Sequence, residues 1–198
     1  MANLKTSDSN SSKGLKMFRV VIFSLVLTGL LLTACGSASV PSSSPAAEAG
    51  RPEWFSYELT DVQTGETFTM NDYAGKVVLV ETMAMWCPNC IFQANEVRKL
   101  HELLDNPDDL ISVSLDVDVN EDAASLKEYS EEYGFDWHFV VAQLEVARAL
   151  GNLYTAQYLN PPLSPMMVID RDGNVHHLEY GLKKAETLQE IIEPFLDQ

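Results

Sequence analysis

The chain has 198 residues, of which 46% are hydrophobic, 21% charged and 9% aromatic. That composition excludes wholesale disorder and a collagen-like or low-complexity chain, and the length suits one domain with an appendage. Three cysteines are too few for a disulfide-dense scaffold, and 13 basic against 29 acidic residues, a net charge of −16, oppose a phosphate backbone as partner.

The N-terminus reads as an address. Lys13, Lys16 and Arg19 form a positive region ahead of the apolar run Val20 to Leu32. That run suits a secretory signal and falls short of the roughly 20 residues of a membrane span. It ends in Leu32-Thr33-Ala34-Cys35, which resembles the bacterial lipoprotein signal. The resemblance implies cleavage after residue 34, a diacylglyceryl group on Cys35, and an extracytoplasmic protein lipid-anchored to a bacterial membrane. Two acyl chains hold a protein where one holds it only marginally. An uncleaved signal anchor is the competing reading. Loss of Lys5, Lys13, Lys16, Arg19 and Asp8 with the signal leaves 9 basic and 28 acidic residues, a net −19. From Cys35 to Gly50 the chain is mostly Ser, Ala and Pro, a flexible tether. The folded domain is expected over 51–198.

Within it, strands and helices alternate. Tyr57 to Leu59 and Thr67 to Met70 read as short strands around a turn at Gln63-Thr64-Gly65. Lys76 to Glu81 contains Val77-Val78-Leu79-Val80, a continuous apolar run that suits a strand buried on both faces. Ile91, Ala94, Val97, Leu100 and Leu104 recur at helical spacing, with charged residues between them. Ile111 to Leu115 reads as a second buried strand. Asn120 is expected to cap a helix running to Tyr133 and ended by Gly134. Phe139 to Val141 is a further strand, and Leu144 to Leu150 a helix closed by Gly151. Met166 to Ile169 and Val175 to Glu179 flank a hairpin turn at Asp170–Asn174, and Ala185 to Phe195 closes the chain as an amphipathic helix. This order predicts an α/β fold with a central mixed sheet flanked by helices, parallel inside and antiparallel at one end.

The chemistry concentrates at Trp86-Cys87-Pro88-Asn89-Cys90, where a buried strand gives way to a helix. Residues three apart at a helix N-terminus lie within disulfide range. The first cysteine meets the positive end of the helix dipole and unpaired backbone N–H groups, which stabilise a thiolate. A thiolate attacks disulfides, so Cys87 is the expected nucleophile and Cys90 the residue that resolves the mixed disulfide. Pro88 suits the first helical turn. Half of a zinc site and a purely structural disulfide compete with this reading. Zinc wants two further ligands, and His101, His138, His176 and His177 show no matching spacing, so no metal is expected.

At these residues the sequence resembles the thioredoxin superfamily, and more narrowly its membrane-tethered TlpA/ResA-like branch. The likeness runs through Lys76–Cys90, the lead-in Phe68–Gly75 and the stretch Ser164–Gly173, nearly the whole folded domain. It implies a thioredoxin-like fold and a thiol–disulfide oxidoreductase whose only redox group is the Cys87–Cys90 couple, without a further cofactor. It also implies that Pro165 follows a cis peptide bond, which would turn the backbone of Ser164 toward the redox pair to bind an extended substrate. Glu81, six residues before Cys87, matches the superfamily's buried acidic position. Burial there should raise its pKa and let it exchange protons with Cys90. Trp86 is expected to pack beside the pair and shield it, and with Pro88 and Ser164 to contact substrate. The stretch Thr82-Met83-Ala84-Met85 departs from the aromatic-rich segment usual before the motif.

Other motifs fail. Asp116-Val117-Asp118-Val119-Asn120 starts like a calcium loop, but Glu121 stands where glycine is needed and Lys127 where a bidentate glutamate should close it. Adjacent His176 and His177 on a strand point to opposite faces. Tyr129 and Tyr133, four apart, read as helix packing. The resemblance implies a monomer acting on exported protein cysteines, fed by a membrane electron-transfer partner, as a reductant in cytochrome c maturation. The opposite direction, installing disulfides, stays open. A Sco-type copper chaperone would want one more residue between the cysteines, and a peroxidase would want threonine at Ala84.

Overall fold

The computed structural model describes residues 50–105 and 107–197. The expected signal 1–34, the lipidation site Cys35 and all of the tether but Gly50 lie outside the described residues. Strands β1 (Leu59–Thr60) and β2 (Thr67–Phe68) form a small antiparallel hairpin of their own. It is shorter than the sequence pattern suggests. Asp72 accepts hydrogen bonds from the Thr69 N–H and hydroxyl at 2.6 and 2.9 Å, which turns Met70–Tyr73 into a single 3-10 turn.

The main sheet has five strands: β3 (Val77–Met83), β4 (Leu110–Asp116), β5 (His138–Val141), β6 (Met166–Ile169) and β7 (Val175–His177), in the order β5-β4-β3-β6-β7. The pairs β3–β4 and β4–β5 are parallel, whereas β3–β6 and β6–β7 are antiparallel. This is the expected mixed sheet, and with its flanking helices it makes a thioredoxin-like α/β fold. Every residue of β3 is buried, as its apolar run requires of a central strand.

Helices α1 (Pro88–Leu103), α2 (Ala123–Tyr133) and α4 (Ala185–Leu196) cover one face. Their Val97, Leu100, Leu126, Leu188 and Ile192 pack with Val77, Leu79 and Val168. Helix α3 (Leu144–Leu153) and the N-terminal turn Glu53–Ser56 cover the other, where Trp54, Phe55, Val146 and Leu150 meet Val78, Val80, Val113 and Leu115.

Two helix boundaries differ from the sequence reading. The cap of α2 is Asp122, whose Oδ1 accepts from the N–H groups of Ala124 and Ser125, both at 2.9 Å. Asn120 instead donates its backbone N–H to Asp118 Oδ1. Helix α3 runs through Gly151 to Leu153. A Cβ at Gly151 would come within 3.1 Å of Leu159 Cδ1, so this glycine serves close packing against the following turn and does not end the helix. The expected ends at Gly134 (φ 68°) and the hairpin Asp170–Asn174 with Gly173 (φ 88°) are present. His176 bonds Asp170 and His177 bonds Tyr158, on opposite sides of β7 as the alternation demands. Among the described residues no helix is long and apolar enough to cross a membrane.

Candidate active site

Strand β3 ends at Met83, and the chain turns through Ala84-Met85-Trp86 into α1. Cys87 is the N-cap in an extended conformation, its N–H bonded to Ala84 O at 3.1 Å, and Pro88 occupies the first turn. Pro88 costs no hydrogen bond there, because the first helical N–H groups lack partners anyway. Cys90 lies one turn inward, and its thiol is within hydrogen-bonding reach of Cys87. Both side chains are free thiols.

Neither thiol faces solvent. Cys87 is 0% and Cys90 3% exposed, so the expected nucleophile is enclosed. Part of the cover is the 3-10 turn Pro161–Leu163. Asn89 donates its side-chain amide to Pro162 O at 2.8 Å, and Cys90 Sγ lies 3.7 Å from Pro161 O. Burial, reinforced by the neighbouring Cys87, pushes the Cys90 thiol far above its usual range. A residue in that state stays protonated until a base relieves it.

The peptide bond between Ser164 and Pro165 is trans, like every other bond in the described residues, which corrects the expectation of a cis proline. The chain reverses instead through Ser164 itself, which adopts the left-handed conformation (φ 46°, ψ 58°) as the cap of the 161–163 turn. Its N–H is spent on Pro161 O at 2.8 Å, and the residue is 3% exposed. Ser164 therefore does not offer that N–H to a substrate in this state. Pro165 still delivers the chain to the sheet, where its carbonyl accepts from Thr82 N at 3.1 Å.

Glu81 is buried on the α1/α2 face of β3, and burial raises its carboxyl to about 7. Ser114, its register partner on β4, donates its hydroxyl to Glu81 Oε1 at 2.5 Å and partly offsets the rise. Glu81 is close enough that its charge contributes to the elevation of the Cys90 thiol. The acidic position and the two cysteines thus converge as the sequence suggested. Trp86 does not shield them. It is 58% exposed, and its indole N–H donates to Asp118 Oδ2 at 2.6 Å.

Several participants escaped the sequence reading. The loop dismissed as a failed calcium site holds the motif from outside: besides Asp118 on Trp86, Glu121 Oε2 accepts the Met85 N–H at 2.7 Å. Asp116 is fully buried, and burial, with Glu121 beside it, raises its carboxyl to about 8. Its Oδ1 accepts the Asp118 N–H at 3.0 Å. The density of acids between Asp116 and Asp122, directly after a buried strand, was the available signal. Ser114 and Trp137 carried no motif at all. Among the described residues no group of three or more His, Cys, Asp or Glu side chains converges to hold a metal ion.

Comparison with known proteins agrees with this architecture. The family model described as Redoxin matches residues 38–192. No curated protein matches the chain. Among solved structures, a thiol:disulfide interchange protein of the thioredoxin family from Chlorobium tepidum is similar at 20% identity and TM-score 0.57, over 71% of this chain and 92% of that one. A putative protein disulfide isomerase from Bacteroides thetaiotaomicron superposes at TM-score 0.59 with 18% identity, over 72% of this chain and 86% of its own. A secreted Mycobacterium tuberculosis disulfide oxidoreductase, described as homologous to E. coli DsbE, gives TM-score 0.54 at 15% identity over 72% and 98%. At these identities the solved structures speak for the fold.

Proposed function

This chain belongs to the redoxin family and is a thioredoxin-like thiol–disulfide oxidoreductase; from that premise we propose that it exchanges disulfides with exported proteins through Cys87 and Cys90, lipid-anchored at Cys35. The observation that carries the reading is the placement of two free thiols at the start of α1, the inner one against a buried carboxyl raised to about 7. As a reductant, Cys87 attacks a substrate disulfide, forming a Cys87–substrate bond and expelling one substrate thiolate, which takes up a proton. Cys90 passes its proton to Glu81 and attacks Cys87 Sγ. The mixed disulfide breaks, the second substrate thiol leaves, and two electrons have moved to the substrate. A membrane electron-transfer partner then restores the dithiol.

The mycobacterial neighbour is secreted and homologous to DsbE, which supports an extracytoplasmic role here. The apo-cytochrome c cysteines, implied by the resemblance to the TlpA/ResA-like branch, are the substrate we favour, with the protein working as a monomer. Because both thiols are enclosed, substrate must open part of their cover to reach Cys87.

The deciding measurement is the reduction potential of the Cys87–Cys90 couple in the full chain. A value near about −270 mV supports the reductant, and one near about −120 mV assigns the opposite direction. In parallel, Cys87→Ala abolishes insulin-disulfide reduction and Cys90→Ala accumulates mixed disulfides through Cys87. Normal turnover by Cys90→Ala would overturn the order of attack. Cys35→Ser releases the chain from membranes, and retention would defeat the anchor.

A further inference from the structure

Strand β4 carries serines at 112 and 114 that turn inward beneath α1 and α2, where apolar side chains would be the default. Both are buried and both are bonded. Ser112 Oγ pairs with His101 Nε2 at 2.8 Å, and Ser114 Oγ sits between two partners. Trp137, immediately before β5, donates its indole N–H to Ser114 Oγ at 2.9 Å, and Ser114 donates to Glu81 Oε1 at 2.5 Å. The three side chains are 7%, 0% and 5% exposed, so water does not compete for these bonds.

The direction of this chain is forced. An indole N–H is a donor only, so Ser114 must accept from Trp137. The serine hydroxyl has a single proton, and an ionised carboxylate is acceptor-only, so that proton points at Glu81. We propose that Ser114 and Trp137 are positioning residues for Glu81: the indole fixes the serine hydroxyl as a donor, and that donor holds Glu81 in the carboxylate form that accepts the proton of Cys90. The inference rests on the role given to Glu81 under Proposed function. The step it tunes is the second one above. The Cys90 S–H proton goes to the Glu81 carboxylate, the Cys87–Cys90 bond forms, the Cys87–substrate bond breaks, and the leaving sulfur departs as a thiolate that is reprotonated from solvent.

Other groups bear on the same carboxyl. Cys87 and Cys90 face it from α1, and Tyr129 faces it from α2 with its hydroxyl buried among them. Across β6 the register partner is Met166, which carries no charge. On β4, Asp116 lies two residues beyond Ser114 and directs its Oδ1 to Asp118 N, and His101 reaches Ser112 rather than Glu81. A pH profile must therefore separate Glu81 from Asp116 and the thiols.

The experiment loads Cys87 of the full chain with 5-thio-2-nitrobenzoate and follows its release by Cys90 through absorbance, from pH 5 to pH 10. The wild-type rate should rise through an inflection near 7 as Glu81 ionises. Ser114→Ala should move that inflection up by about one unit, the size of a hydrogen bond lost from a charged group. Ser114→Thr keeps the hydroxyl and should restore it. Trp137→Phe should move it in the same direction by less, since it removes only the polarisation of the hydroxyl. It also decides the matter if Ser114→Ala does not fold. In Glu81→Gln the inflection should vanish, and Ser114→Ala on that background should add no further shift.

An unmoved inflection in Ser114→Ala, with Glu81→Gln lacking it, overturns this inference and leaves the function standing. An inflection that persists in Glu81→Gln removes the proton-acceptor role itself, and this inference with it.

Discussion

The two faces of the central sheet are built from the same strands but from different chemistry. Toward α3 the sheet presents Val78, Val80, Val113, Leu115, Met167 and Ile169, an apolar centre with Thr82, His138 and His177 at its margins. Toward α1 and α2 the alternate residues include Glu81, Ser112, Ser114 and Asp116, all buried and each engaged by another polar group. A buried carboxyl without compensation costs free energy, and hydrogen bonds recover only part of it. One face thus supplies cohesion. The other gives some of it up to keep a buried carboxyl beside two thiols.

Substitutions on the two faces should separate these contributions. The largest effect is expected on the apolar side. Leu115→Ala leaves a cavity under α3 and should lower unfolding free energy by about 3 kcal/mol in urea denaturation, without moving the thiol-exchange pH profile. A shifted profile would show that the faces are not independent.

Glu81→Gln should act in the opposite sense. The folded pKa of about 7 lies above the ordinary value of 4.5, so the folded state binds more protons than the unfolded one between those limits. Stability contributed by this group therefore falls as pH rises from about 4.5 to 7, and the loss is complete above. The variant should be more stable than wild type at pH 8, by up to about 3 kcal/mol, and should lose that advantage below pH 5. Asp116 titrates in an overlapping range, so the difference between the two denaturation curves across pH isolates Glu81. Equal stability at pH 8 would mean that the carboxyl is better solvated than its burial implies.

The smallest effect concerns the cover over the thiols. Asn89→Ala removes the hydrogen bond to Pro162 O, worth about 1 kcal/mol, and should quicken iodoacetamide alkylation of reduced Cys87 about fivefold. An unchanged rate would show that the enclosure is held by packing alone.

Much of this was legible because local chemistry and tertiary role coincide. The run Val77–Val80 is a central strand in any context, and Cys87-Pro88-Asn89-Cys90 after it has a helix-starting proline where a helix must start. Asp170–Asn174 is a turn by composition alone. Ser114 and Asp116 were obscured for a different reason: the apolar residues of Ile111 to Leu115 mark a buried strand, as found, but say nothing of what the polar side chains alternating with them bond to. Trp137 reads as an ordinary core aromatic until Ser114 is placed opposite its indole. The backbone at Ser164 was misjudged because a proline opening a strand fixes the direction of the chain without fixing how the preceding residue turns. Asp122 displaced Asn120 as the helix cap because Asn120 was already committed to Asp118.

A last consequence concerns where the domain is held. Arg171 donates to Gly75 O, Asp109 Oδ2 and Leu196 O, which gathers the entries of β3 and β4 and the end of α4 at one pole. Arg51 lies at the same pole, bonded to Asn71 and packed on Gly173. The seven residues of β3 span roughly 20 Å from there to the motif. Whatever precedes Gly50 thus joins the domain at its back, with the cysteines at the far end of the sheet, and a label or carrier fused beyond Leu196 leaves from that same rear side. An attachment at either terminus of the described domain therefore leaves the cysteine end of the sheet unobstructed for a large client.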